Sequence, residues 1–324
     1  MSTTMKHKTI QYLTVLFVVF CSTLMQAQQD PEFTHYMYNM SVINPAYATD
    51  NPGVINLGGL YRAQWVGVKG APTTQSFFAH KPLSKKVEMG VSVVHDEIGD
   101  VVKESNIFAD FAYVLNLGEA TKLSLGLKGG VTLFSTDFNG FEYSSPSLDP
   151  AFKNNISKTF PNVGAGTYLF GSNYYVGFSA PNLLTTKHLE SQDGITATGV
   201  EAIHYFLTGG YVFTFNENDN LKVKPAFMAK GVQGAPVSLD LTTNVLINNK
   251  FEAGVGYRLG DSVSGLASFY VTPSLRIGYS YDYTLTNLRK FSSGSHEVFV
   301  LFDLGGNKDK DGSGKGYDKS PRFF

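Results

Sequence analysis

Apolar and polar side chains alternate along most of this chain. The clearest case is 274–285, where Leu275, Ile277, Tyr279, Tyr281, Tyr283 and Leu285 share one parity and Ser274, Arg276, Gly278, Ser280, Asp282 and Thr284 the other. A period of two marks an extended strand, because successive side chains leave a pleated backbone on opposite sides. Similar alternation recurs at Ile55–Trp65, Ser105–Leu115, Leu123–Leu133, Ile203–Phe215, Leu221–Ala229, Val237–Ile247, Phe251–Leu259 and His296–Leu304. Shorter stretches at 74–81, 89–96, 163–170, 174–180 and 265–272 bring the expected total to about fourteen strands, most near the 9–11 residues that a tilted strand needs to cross a bilayer.

The connections sort by length. Short links at 82–87, 118–121, 171–173, 216–220, 248–250 and 272–274 alternate with long ones at 137–159, 181–202 and 286–295. Short turns at one end and long loops at the other characterise an outer-membrane barrel, whose apolar parity faces lipid. A secreted β-sandwich would bury the same parity but has no reason to sort its loops. The expected fold is therefore an all-β transmembrane antiparallel β-barrel of about fourteen strands, spanning 53–304, with the short links on the periplasmic side.

Composition agrees. Charged residues make up 16% of the chain, against roughly 25% in soluble domains. Aromatic residues make up 14%, and mean hydropathy is −0.07. Balanced charge excludes a strongly basic nucleic-acid binder, and the apolar content excludes a disordered chain.

At the N-terminus, Lys6 and Lys8 precede the apolar run Tyr12–Phe20, and Met25-Gln26-Ala27 offers a cleavage site. Residues 1–27 thus read as a secretory signal peptide. Their removal takes away two lysines and no acid, moving the formal charge from −1 to −3, and takes away Cys21, the sole cysteine. Residues 28–52 carry Asp30-Pro31, Asn44-Pro45 and Asn51-Pro52-Gly53, which favour turns, so a periplasmic lead-in of irregular structure is expected. Phe33, Tyr36, Met37, Tyr38 and Tyr47 give it aromatic and thioether groups suited to docking a partner. The same residues could instead plug their own barrel, and the sequence leaves both open.

The inward parity carries Arg62, Glu104, Asp110, Lys122, Lys128, Lys222, Lys224, Lys230, Asp240, Glu252, Arg258, Arg276 and Asp282. Charges withdrawn from water must be paired, so a mutually paired or hydrated lumen is expected, with an ion-selective pore as the alternative. A hydrolase would draw on His95-Asp96-Glu97, His204 or His296. No Gly-x-Ser-x-Gly elbow or metal-ligand spacing accompanies them, and no cofactor is called for. In the polar tail, 305–324, Asn307, Asp309, Asp311, Gly312 and Asp318 fall at calcium-loop spacings. Asn stands at the first ligand, Asp replaces the bidentate Glu, and Lys308, Lys310 and Lys315 oppose a cation.

Seven stretches carry a family resemblance. They are Asp30-Pro31-Glu32-Phe33-Thr34-His35-Tyr36-Met37-Tyr38-Asn39, Ile43-Asn44-Pro45-Ala46-Tyr47, Tyr61-Arg62-Ala63-Gln64-Trp65-Val66-Gly67, Gly70-Ala71-Pro72-Thr73-Thr74, Val176-Gly177-Phe178-Ser179-Ala180-Pro181-Asn182-Leu183, Gly278-Tyr279-Ser280-Tyr281-Asp282-Tyr283 and Gly294-Ser295-His296-Glu297. In this order and spacing the chain resembles the PorP/SprF family of type IX secretion membrane proteins. The resemblance implies a multi-pass barrel in the Gram-negative outer membrane, without enzymatic activity or nucleic-acid partner. It implies association with periplasmic ring and lipoprotein components or the translocon of that machine, and export or surface anchoring of a cargo such as a gliding adhesin. A channel for a small solute is the alternative from a different class.

Overall fold

The computed structural model describes residues 31–49, 53–99, 101–138, 155–185, 202–215 and 221–305. Fourteen antiparallel strands follow one another around a ring. They are β1 (Val54–Ala63), β2 (Thr73–Pro82), β3 (Val87–Ile98), β4 (Val102–Asn116), β5 (Lys122–Thr136), β6 (Ser157–Phe170) and β7 (Tyr174–Ala180). Then come β8 (His204–Tyr211), β9 (Leu221–Val232), β10 (Ser238–Ile247), β11 (Phe251–Arg258), β12 (Ser262–Thr272), β13 (Leu275–Thr284) and β14 (Ser295–Gly305). After Val212, β8 resumes as Phe213–Thr214, which keeps pairing with β9.

Each strand pairs with its neighbours in sequence, and β1 closes the ring on β14, from Val54 opposite Gly305 to Ala63 opposite His296. Closure leaves no sheet edge, the condition under which strands can lie in hydrocarbon. Among the described residues no helix is long and apolar enough to cross a membrane. The outer face carries exposed apolar side chains such as Val91, Leu127, Val255 and Val300, while Asn56, Arg62, Lys128 and Arg276 are buried on the inner face. The alternation thus has the polarity expected of a barrel in lipid.

Two ends can be distinguished. The turn end holds 83–86, 117–121, 171–173, 248–250 and 273–274; at Ile247–Lys250 the central Asn248 and Asn249 both have left-handed φ, as a tight hairpin requires. The loop end holds the three long links, but also short ones at 99–101, 233–237 and 259–261. Some strand limits differ from the sequence reading. β1 stops at Ala63, because Trp65 takes a φ of 48° and Val66 turns to bond Gly294. β6 starts at Ser157, inside what read as a loop, because Pro161 is accommodated opposite Val131.

The largest departure concerns the lead-in. Residues 31–49 do not lie beneath the barrel but run inside it, and the apolar core of the molecule is the contact between this segment and the inner wall.

The lipid-facing assignment predicts a position-dependent penalty for charge. Val300→Arg, at the middle of β14, should lower unfolding stability in lipid vesicles by about 2–4 kcal/mol. Gln233→Arg, in an exposed link, should change it by no more than about 0.5 kcal/mol. Equal effects at the two sites would remove lipid from the outer face.

Candidate functional site

The segment inside the barrel is built from local rules. Tyr36–Tyr38 forms one 3-10 turn and Met40–Ile43 one helical turn. Asn44 precedes Pro45 and is extended (φ −133°, ψ 112°), which ends the helix, since a residue before proline is driven from the helical region. The Asn44 side chain accepts a hydrogen bond from the Ala46 amide at 2.9 Å, fixing the turn that follows.

Its contacts trace a path through the whole lumen. Glu32 reaches Lys230 at the end of β9 and Arg258 at the end of β11, both at the loop end. Tyr38 reaches Glu252 and Arg276 at the starts of β11 and β13, toward the turn end. Residues 40–46 climb back along β5, β6 and β7, and Thr49 bonds Glu88 at the turn end, where the chain leaves for β1.

Charged wall residues hold this plug at both levels. The Glu297 carboxylate accepts the backbone amides of Thr34 and His35 at 2.9 and 2.7 Å and the His35 Nδ1 at 2.9 Å. Arg62 lies 2.8 Å from Asp282 and 3.2 Å from Glu297, and it donates to the Thr34 hydroxyl, which itself donates to Asp282. The Arg276 guanidinium pairs with Glu252, donates to the Tyr38 hydroxyl and lies 4.5 Å from the centre of the Tyr38 ring. Burial alone would raise the Glu32 carboxyl, but Arg258 and then Lys230 hold it below its ordinary value. A lowered carboxyl contributes attachment that is present above its ordinary value and is lost as the pH falls through the lowered one.

The apolar contacts are equally specific. His35 packs edge-on against Phe299 at 4.7 Å between centroids, and Tyr47 packs against Tyr168, which stacks on Tyr175. Asn44, Pro45 and Ala46 sit in a notch that exists because the wall has no side chain there. A Cβ on Gly126 would fall 2.2 Å from the Ala46 nitrogen, and one on Gly166 would fall 2.2 Å from Asn44 Oδ1. The two glycines are register partners on β5 and β6, so they clear one continuous patch.

All five residues singled out for docking, Phe33, Tyr36, Met37, Tyr38 and Tyr47, are buried in the lumen. Docking through them would require the segment to leave the barrel. The inward charges are largely paired, but across strands rather than within them: Arg276 meets Glu252, Arg258 meets Asp240 at 2.6 Å, and Lys128 lies 3.5 Å from Asp110. Sequence reasoning missed Glu32, Glu88 and Glu297 as anchors, and the inward aromatics Phe78 and Phe299. For the last, the unbroken apolar run Val298–Phe302 was the available signal, since it puts apolar groups on both faces.

Of the residues considered for hydrolysis, the structure brings His95 and Glu97 together and leaves His204 and His296 elsewhere. His95 Nδ1 lies 2.7 Å from Ser105 Oγ, and its Nε2 lies 3.2 Å from Glu97, which Lys103 also pairs at 3.0 Å. These side chains alternate out of phase with the lumenal Val94 and Asn106, so they face outward near the loop end. Among the described residues, the adjacent backbone amides of these strands are taken up in strand pairing rather than free as oxyanion donors. His204 is buried in the lumenal wall, while His296 bonds the Tyr279 hydroxyl. Among the described residues no group of three or more His, Cys, Asp or Glu could hold a metal. The calcium-loop spacing in the tail and the signal peptide lie outside the described residues.

The family described as type IX secretion system membrane protein PorP/SprF matches residues 25–302. No curated protein matches the sequence. Among solved structures, a Pseudomonas aeruginosa FadL homologue is similar at 12% identity and a TM-score of 0.47, covering 86% of this chain and 95% of its own. Omp33, an outer membrane protein of Acinetobacter baumannii, is similar at 11% identity and a TM-score of 0.45, covering 78% and 98%. The CymD monoaromatic hydrocarbon channel is similar at 13% identity and a TM-score of 0.46, covering 86% and 94%.

The notch predicts how the plug can be expelled. Gly166→Val and Gly126→Val should turn a silent barrel into a conducting one in planar bilayers. Gly129→Val, on the outer face with open space around it, should stay silent. Silence in all three would mean that the notch does not seat the plug.

Proposed function

Because the chain belongs to the type IX secretion system membrane protein PorP/SprF family, we propose that it is a non-catalytic component of the secretion and gliding apparatus, supporting export or surface anchoring of a cargo protein and docking to the machine's periplasmic parts. It is an outer-membrane barrel. The single observation behind the reading is the occupied lumen, in which residues 31–49 are gripped by Glu297, Arg62, Arg276 and Glu88. A small-solute channel needs a continuous watery path, which a segment packed this tightly opposes.

In this reading Phe33, Tyr36, Met37, Tyr38 and Tyr47 serve by keeping the barrel closed and rigid. Partners meet the two ends: the short links on the periplasmic side and the longer ones outside. The filled lumen suits a protein that anchors rather than conducts.

The following measurements test it. Deleting the gene in its host should remove one or a few proteins from the cell surface, and the tagged barrel should copurify with type IX secretion components from native membranes. The purified wild-type protein should show no steady conductance. An unchanged surface proteome together with a large, stable open pore would establish the channel instead. Alanine at Tyr36, Met37 and Tyr38, which sit in the plug–wall core, should loosen the plug and give the purified barrel a conductance that the wild type lacks.

A further inference from the structure

The plug does not fill the lumen evenly. In the half toward the loop end a recess of about 70 Å³ remains between the plug and the wall. Phe33 and Ile43 of the plug and Val94, Phe108, Phe206 and Met228 of the wall supply its apolar lining. Elsewhere the apolar groups of plug and wall meet directly, whereas here they leave a gap between them.

The polar groups around the recess narrow what could enter. Every charged residue there is already engaged. Lys128 bonds the Val42 carbonyl at 2.8 Å and lies 3.5 Å from Asp110, Lys230 pairs with Glu32 at 3.2 Å, and Asp240 pairs with Arg258 at 2.6 Å. An ionic ligand would thus meet no free counter-charge, and burying it would be unfavourable. Asn106 is satisfied too, donating to Glu104 and accepting from Thr132. Asn182, just past β7, differs: its Oδ1 is buried with no hydrogen-bond partner. A buried acceptor left unmade is destabilising, and a ligand carrying one donor would relieve it.

We propose that this recess is a binding site for a compact, neutral molecule with an aromatic or branched apolar body and a single hydroxyl or amide donor. The apolar body lies against Phe108, Phe206 and Met228, and the donor bonds Asn182 Oδ1. The site is separate from the secretion role above and does not depend on it.

Methionine methyl groups provide the readout, because beyond residue 27 the chain has four methionines, Met37, Met40, Met89 and Met228. Met228 lines the recess and Met89 is exposed on the outer face, where it reports partition into detergent. With 13C-methyl-labelled full-length protein, phenol and benzene are titrated separately as probes. The Met228 signal should move saturably with phenol and about tenfold or more weakly with benzene, whereas Met89 should respond alike to both. Asn182→Leu should reduce phenol to the level of benzene, and Val94→Phe, which fills the recess, should remove the response to both. A Met228 signal that stays still, or that follows Met89, would overturn the proposal. So would phenol and benzene binding equally in the wild type, or Asn182→Leu leaving the preference intact.

Discussion

Hydrocarbon accepts no hydrogen bonds, and the rest of this structure follows from that. Every strand in the membrane must find partners on both sides, so β14 returns to β1 along the full length of both strands. Closure in turn creates an inside. The inward parity of the strands brings Arg62, Lys128, Arg258, Arg276, Glu252, Asp282 and Glu297 into a confined space where unpaired charge is unfavourable. Cross-strand ion pairs solve part of the problem, and the plug solves more of it. Its backbone amides at Thr34 and His35 occupy Glu297, and its Glu32 carboxylate serves Lys230 and Arg258.

The plug and the wall are therefore complementary in detail rather than loosely nested. Glycines at 126 and 166 remove side chains where Asn44, Pro45 and Ala46 press against the wall, and Phe299 presents an aromatic face to His35 and Tyr38. A segment held by both ionic and steric fit is suited to staying in place. In the function proposed above, that property favours an anchoring role over a conducting one.

The sequence was most legible where the environment is uniform. Lipid asks the same of every outer residue, so Tyr279, Tyr281 and Tyr283 in β13, or Leu123, Leu125 and Leu127 in β5, announce their face by alternation alone. The plug was illegible because its environment is not periodic. Phe33, Tyr36, Met37, Tyr38 and Tyr47 read equally well as anchors for a partner or as filling for the barrel, and only the fold places them inside. The ion pairs were hidden for another reason. Arg276 and Asp282 share a strand and look like partners, yet register brings Arg276 to Glu252 and Asp282 to Arg62. The importance of Gly126 and Gly166 lies in an absent side chain, which only the opposing Asn44 and Ala46 reveal.

The central claim, that residues 31–49 sit inside the closed barrel, is tested most directly by cysteine accessibility. In a chain with Cys21 replaced by serine, Ser41→Cys puts a thiol at a buried position of the plug, and Gln233→Cys puts one on an exposed link. A water-soluble maleimide should label position 233 quickly in the folded protein and position 41 only after unfolding. Equal labelling of the two in the folded state would place the segment outside the barrel and contradict the account.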